Sequence, residues 1–73
     1  MSTRLPSLIA LQMIAILQRH GFEIIRQRGS HTIMKHPDGP WTTVPVHKGR
    51  DLAKGSIRQI LRDTGLSVDD LQA

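Results

Sequence analysis

Arg26-Gln27-Arg28-Gly29-Ser30-His31 is the stretch on which the fold turns. Glycine followed by a small polar residue suits a two-residue type II′ hairpin loop, whose first central position needs a positive φ. Residues 22–28 and 31–36 then read as two antiparallel strands. The loop sets Arg28 opposite His31, Arg26 opposite Ile33 and Ile24 opposite Lys35. Directly opposed residues share a face, as do alternate residues along a strand. One face therefore carries Ile24, Arg26, Arg28, His31, Ile33 and Lys35; the other carries Glu23, Ile25, Gln27, Thr32, Met34 and His36. Ile25 and Met34 are expected to point to the core, which leaves three cations and His31 on the open side. A one-residue slip would exchange the faces.

Beyond the hairpin, His36-Pro37-Asp38-Gly39-Pro40 is a turn cluster. Residues 41–46 form a third strand with Thr42, Val44 and Val46 facing inward. Pro45 cannot donate to a ladder, so this strand lies at an edge. That gives a 1-2-3 meander in which a five-residue loop sets Lys35 opposite Trp41. Before the hairpin, Ala10, Met13, Ile14 and Leu17 recur at i, i+3, i+4 and i+7, the core-facing stripe of a helix over residues 7–20. Pro6 and Ser7 open that helix, and Gly21 occupies its C′ position. Leu8, Ile9, Leu11 and Ile16 fall partly outside the stripe, so the outer side of the helix is expected to meet a partner chain or a second copy. After the third strand, His47-Lys48-Gly49-Arg50 is a basic loop and residues 51–53 a single turn. Ser56 is the expected N-cap of a second helix, with Ile57, Ile60 and Leu61 facing the core, Arg58 and Arg62 on the flank, and Gly65 at the end. Ser67-Val68-Asp69-Asp70 has capping-box spacing with Asp in place of Glu, which allows a final turn. The order is α-β-β-β-α, an α+β class with both helices on one face of a three-stranded antiparallel sheet.

Seventy-three residues suit one domain, 1–73, near the small end of what folds alone. Without cysteine there is no disulfide framework and no thiolate nucleophile. Ten Lys plus Arg face six Asp plus Glu, and the excess lies mainly between Arg19 and Lys54, where all four histidines also fall. That balance favours a polyanionic partner, either nucleic acid or an acidic protein surface, against the alternative of solvated charge that keeps a small protein soluble. The apolar run 8–17 is shorter than the ~20 residues of a membrane span. No small-residue cleavage site follows it, so a mature, soluble, cytoplasmic chain is expected.

His31 is the sharpest candidate for chemistry. An imidazole can take or give a proton near neutral pH. RNA brings its own nucleophile in the 2′-OH, so a site that cleaves it mainly moves protons and stabilises phosphorane charge. Arg28 and Lys35, on the same expected face, can supply that charge. The competing reading makes His31 a polar residue beside a turn. His47 either binds phosphate or is a polar loop residue, while His20 and His36 look like helix-end and strand-end residues. A metal site is disfavoured because His31 and His36 stand an odd number apart on one strand, and no other pair has ligand spacing on a helix. Phe22 and Trp41, the chain's two aromatics, are assigned to packing, being too few for a base-stacking platform. Neither a hydrolase triad nor a phosphate-cradling glycine loop is spaced correctly.

Gly21-Phe22, the Arg26–His31 hexapeptide, His36-Pro37-Asp38-Gly39, Val44-Pro45-Val46-His47 and the run Lys54 to Arg62 through Gly65-Leu66-Ser67 together resemble the HicA toxins. The resemblance covers residues 13–68. It implies a fold similar to double-stranded-RNA-binding domains and a ribonuclease toxin of a type II toxin–antitoxin pair. Such toxins act on mRNA, are held inactive by a HicB antitoxin and belong to stress responses. The family's catalytic histidine falls on His31. Arg26, Arg28, Ser30, Lys35, His47 and Lys48 are then expected to hold RNA, with no metal or organic cofactor, and the greasy first helix to serve antitoxin binding or higher-order assembly. A non-catalytic RNA-binding module of the same fold, or a basic domain that only binds an acidic protein, are the alternatives.

Overall fold

The computed structural model describes residues 4–72. Its elements are α1 (Ala10–Arg19), β1 (Glu23–Arg28), β2 (His31–Lys35), β3 (Trp41–Pro45), α2 (Lys54–Thr64) and a closing 3-10 turn (Asp69–Gln72). The strands form one antiparallel sheet in the order β1-β2-β3, as the meander reading requires. Lys35 stands opposite Trp41, Met34 opposite Thr42 and Thr32 opposite Val44. Thr32, Met34, Thr42 and Val44 thus share the inner face, and all are buried. Met13, Ile14 and Leu17 of α1 and Ile57 and Ile60 of α2 close over that face, with Phe22 completing the cluster. Burying each such side chain contributes about 1.5–3 kcal/mol, so tertiary packing rather than intrinsic propensity holds a helix as short as α1. The buried Thr42 hydroxyl donates to Asp63 Oδ2 at 2.9 Å, and Gln59 Nε2 donates to Oδ1 at 2.8 Å. That polar tie fixes α2 against β3.

β1 departs from the expected pattern. Arg28, Gln27 and Arg26 pair regularly with His31, Thr32 and Ile33, but the register then shifts, so Ile24 faces Met34 and Glu23 faces Lys35. Ile25 is the extra residue of a β-bulge. The helices sit over β3 rather than β1, and every residue of β1 is exposed. Ile25, expected in the core, is therefore 56% exposed, and Ile24 is 48% exposed.

Both helices begin elsewhere than expected, for one reason. Leu52 N–H donates to Leu8 O at 2.7 Å and Ile9 bridges Asp51, so residues 8–9 and 51–52 are extended. The first helix consequently starts at Ala10, where the Gln12 side chain accepts the Ile9 N–H at 2.9 Å, and neither Pro6 nor Ser7 opens it. No turn forms over residues 51–53, and α2 starts with Ala53 rather than Ser56 at its N-cap. Gly65, at φ +76, ends α2 as expected. Gly21, at φ +92, follows α1 with no room for a side chain, because a Cβ there would lie 2.7 Å from His36 Nε2.

The outer side of α1 is less greasy than its sequence suggests. Leu8 and Ile16 are buried, and Leu71 of the closing turn is buried in the same cluster. Reciprocal bonds hold that turn: Asp70 Oδ2 accepts the Ser67 N–H at 2.8 Å, and Asp70 N–H donates to Ser67 Oγ at 3.3 Å. The Ser67 N–H first, and then its hydroxyl, keep the Asp70 carboxyl below the usual carboxylate range. Ile9 and Leu11 remain exposed. Among the described residues no helix is long and apolar enough to cross a membrane.

Candidate nucleic-acid interface

With both helices on one side, the other face of the sheet is left open. The ladder arranges it as three cross-strand rows. Arg28, His31 and Pro45 form the row at the hairpin end; Arg26, Ile33 and Thr43 form the middle row; Glu23, Lys35 and Trp41 form the far row. Gly29 has φ +55 and Ser30 a negative φ, as a type II′ loop requires. That loop puts Arg28 directly across from His31, both exposed. Among the described residues no hydrogen bond engages the His31 ring, and no carboxylate lies within ion-pair distance of Arg26, Arg28 or Lys35. An accessible imidazole beside a guanidinium can exchange a proton with a phosphodiester substrate while the cation offsets developing negative charge.

The basic loop joins this end of the sheet. Val46 N–H donates to Ser30 O, which carries the β2–β3 ladder one step past Pro45 and sets His47 beside the hairpin tip. Arg50 N–H then donates to His47 O at 3.1 Å, with Gly49 at φ +78, closing a tight turn that exposes His47 and Lys48. Arg28, Ser30 and His31 thus stand at one end with Arg26 one row away, and the backbone of His47 and Lys48 follows just beyond, their side chains lining a notch with Ile9 and Leu11. Lys35 is not with them. Three residues of β2 lie between it and His31, which sets the two roughly 13 Å apart at the usual rise.

The other histidines serve the fold. His20 caps α1. His36 lies under Gly21, packs edge-on against Phe22 at 5.2 Å between ring centroids, and accepts the Asp38 N–H at Nδ1 (3.0 Å). Among the described residues no three His, Asp or Glu side chains gather as a metal ion requires. Phe22 packs as expected, but Trp41 does not. It is 58% exposed on the same face as His31, because its neighbours Thr42 and Val44 occupy the inner positions of β3. The signal was in the sequence: a Lys35–Trp41 pair puts Trp41 on whichever face carries Lys35.

Comparison with known proteins adds one match. A family model described as HicA toxin of bacterial toxin-antitoxin covers residues 11–66. No curated protein matches the chain.

Proposed function

Because the chain belongs to the HicA toxin family of bacterial toxin–antitoxin systems, we propose that it is an endoribonuclease that cleaves mRNA by metal-independent acid/base chemistry at His31. The observation that carries this reading is the exposed imidazole directly opposite Arg28 on the uncovered face of the sheet. In the reaction the 2′-OH loses its proton as its oxygen attacks the adjacent phosphorus. The 5′-oxygen leaves and is protonated, which yields a 2′,3′-cyclic phosphate and a 5′-OH. His31 performs one of these two transfers. Arg28 lies across from it to offset phosphorane charge, while Arg26, Ser30, His47 and Lys48 hold flanking backbone and Lys35 holds it farther along.

A HicB-type antitoxin neutralises the protein in the cytoplasm, where mRNA is available. The contact expected of the first helix contracts to Ile9 and Leu11. With Val46, His47 and Lys48 they line an apolar notch of about 310 Å³. An antitoxin that seats an apolar side chain there, flanked by acidic residues to match Lys48, also reaches the hairpin tip.

The test is incubation of the full chain with RNA in chelator, beside His31→Ala and His31→Gln. Loss of acid/base catalysis lowers the cleavage rate about 10²- to 10⁴-fold. An exposed side chain with no bonds to lose leaves stability within about 0.5 kcal/mol. An undiminished rate in both variants ends the assignment, and RNA binding without cleavage by the unmodified chain favours a non-catalytic RNA-binding module.

A further inference from the structure

Among the described residues of the open face, Trp41 is a large, exposed apolar side chain to which the proposed reaction gives no role. It is 58% exposed, although its ring is the largest apolar group in the chain. Among the described residues no other ring packs against it. The core does not require it, since Met34, Thr42 and Val44 fill the inner face beneath. Its row also contains Lys35, with Glu23 across the ladder from it, and the next two rows contain Arg26 and then Arg28 with His31. Three cations against one carboxylate thus follow the open face across β1 and β2, with a proton-transfer group at the hairpin end and the flat apolar ring of β3 at the other.

Resting on the ribonuclease reading above, we propose that Trp41 is a base-stacking residue of the RNA-binding track. A single RNA strand lies along the outer face of β2, its cleaved phosphate at His31, and a base farther along stacks on the indole of Trp41. The distance from the His31 row to the Trp41 row, roughly 13 Å of strand, corresponds to about two to four nucleotides, according to how far the RNA is stacked. Cations beside an aromatic face are what single-stranded nucleic acid requires: charge for the backbone and a π-face that any base can use. One ring is no platform for a sequence code. It fixes the register of the strand on the sheet and makes affinity depend on substrate length. Ile33 and Thr43, half-buried in the row between, leave the track low enough for a strand to pass from one end to the other.

The chain has a single Trp and no Tyr, so its long-wavelength emission reports that ring alone. The experiment titrates the full chain with 2′-O-methyl RNA, which lacks the nucleophile, comparing an octanucleotide with a dinucleotide. In parallel, Trp41→Ala and Trp41→Phe are assayed on cleavable RNA of both lengths. The octanucleotide is expected to quench Trp41 emission, and an abasic residue is expected to abolish the quench at one position only. Trp41→Ala should raise KM for the longer RNA about 5- to 30-fold. That deficit should shrink as the substrate is shortened, and Trp41→Phe should recover part of it. Cleavage and affinity unaltered in Trp41→Ala, with emission indifferent to RNA, overturn the stacking role and leave the nuclease reading standing. Emission that responds to an antitoxin but not to RNA overturns it also, by assigning the ring to a protein interface. Absence of RNA binding or cleavage by the unmodified chain removes the nuclease reading and this inference with it.

Discussion

If RNA lies on the open face of the sheet, the salt dependence of binding must report that face and not the helical one. Arg26, Arg28 and Lys35 stand on it, and Lys48 lies beside its hairpin end. Each phosphate neutralised on a single strand contributes about 0.7 to the slope of log K against log salt, so these four cations give a slope of about −2.8. Raising salt fourfold, from about 50 to about 200 mM, then weakens binding roughly 50-fold. In Arg28→Ala the slope falls to about −2.1, and the same change in salt weakens binding only about 18-fold. Lys35→Ala should alter it less, because Glu23 stands across the ladder from Lys35 and already offsets part of its field. Arg58 is the control. It is equally cationic and exposed but projects from α2, on the other side of the sheet. Fluorescence anisotropy of a labelled 2′-O-methyl oligonucleotide across that salt range measures all four slopes. A slope that drops in Arg58→Ala and holds in Arg28→Ala would put the RNA on the helices and refute the site.

Three further outcomes follow from particular contacts. Gly21→Ala meets both a positive φ and a Cβ placed 2.7 Å from His36 Nε2, whereas Gly29→Ala, at φ +55, meets nothing within 4 Å. Chemical denaturation should show a loss of about 1 kcal/mol at Gly29 and about 2–4 kcal/mol at Gly21, and the excess should vanish in a His36→Ala background. Leu11→Glu places a charge at the apolar notch beside Lys48. It should weaken antitoxin binding at least tenfold in calorimetry while RNA cleavage continues, and unaltered antitoxin affinity would clear that surface of the role. The lowered pKa of Asp70 means that its bonds to Ser67 stabilise the closing turn above the ordinary carboxylate range and are lost as pH falls through the folded value. Protection factors at Asp70 and Leu71, taken relative to intrinsic exchange rates at each pH, should fall with acidification below about pH 4, and Asp70→Asn should flatten that response.

The parts of the fold legible in the sequence are those with a period. The stripe Ala10, Met13, Ile14, Leu17 and the alternation Thr42, Val44 are both buried as their spacing requires. The Gly29-Ser30 loop set the register of its three nearest pairs correctly. What escaped has no periodic signature. The bridge between Leu8–Ile9 and Asp51–Leu52 joins segments more than forty residues apart, and it overrides the local helix-start signals at Ser7 and Ser56. Leu71 covers α1 from the far end of the chain. Ile25 fell outside the core because no helix lies above β1, a fact of layer width that strand alternation does not encode. The site was more legible than the edge strand, since Arg26, Arg28 and His31 lie within three pairs of a turn that fixes their face. Lys35 was assigned to that face correctly, but its distance from His31 depends on strand length rather than on parity.

The bulge links these observations. Phe22, Arg26 and Arg28 are spaced by even steps, and an unbroken alternation would send all three side chains to one face. Phe22 is buried, its N–H bonded to Leu17 O at 3.0 Å, whereas both arginines are exposed opposite Ile33 and His31. One extra residue at Ile24-Ile25 reverses the alternation between the aromatic anchor and the cations. Without it, either the anchor would leave the core or two guanidinium groups would turn toward the helical side, away from His31. A central strand would lose ladder bonds on two sides to such an insertion. An edge strand loses them on one, which is why the irregularity falls in β1 and its uncovered isoleucines are tolerated. A chain this short has a core on one side only, and the bulge lets one six-residue strand follow both a residue that the core needs and the charges that the open face needs.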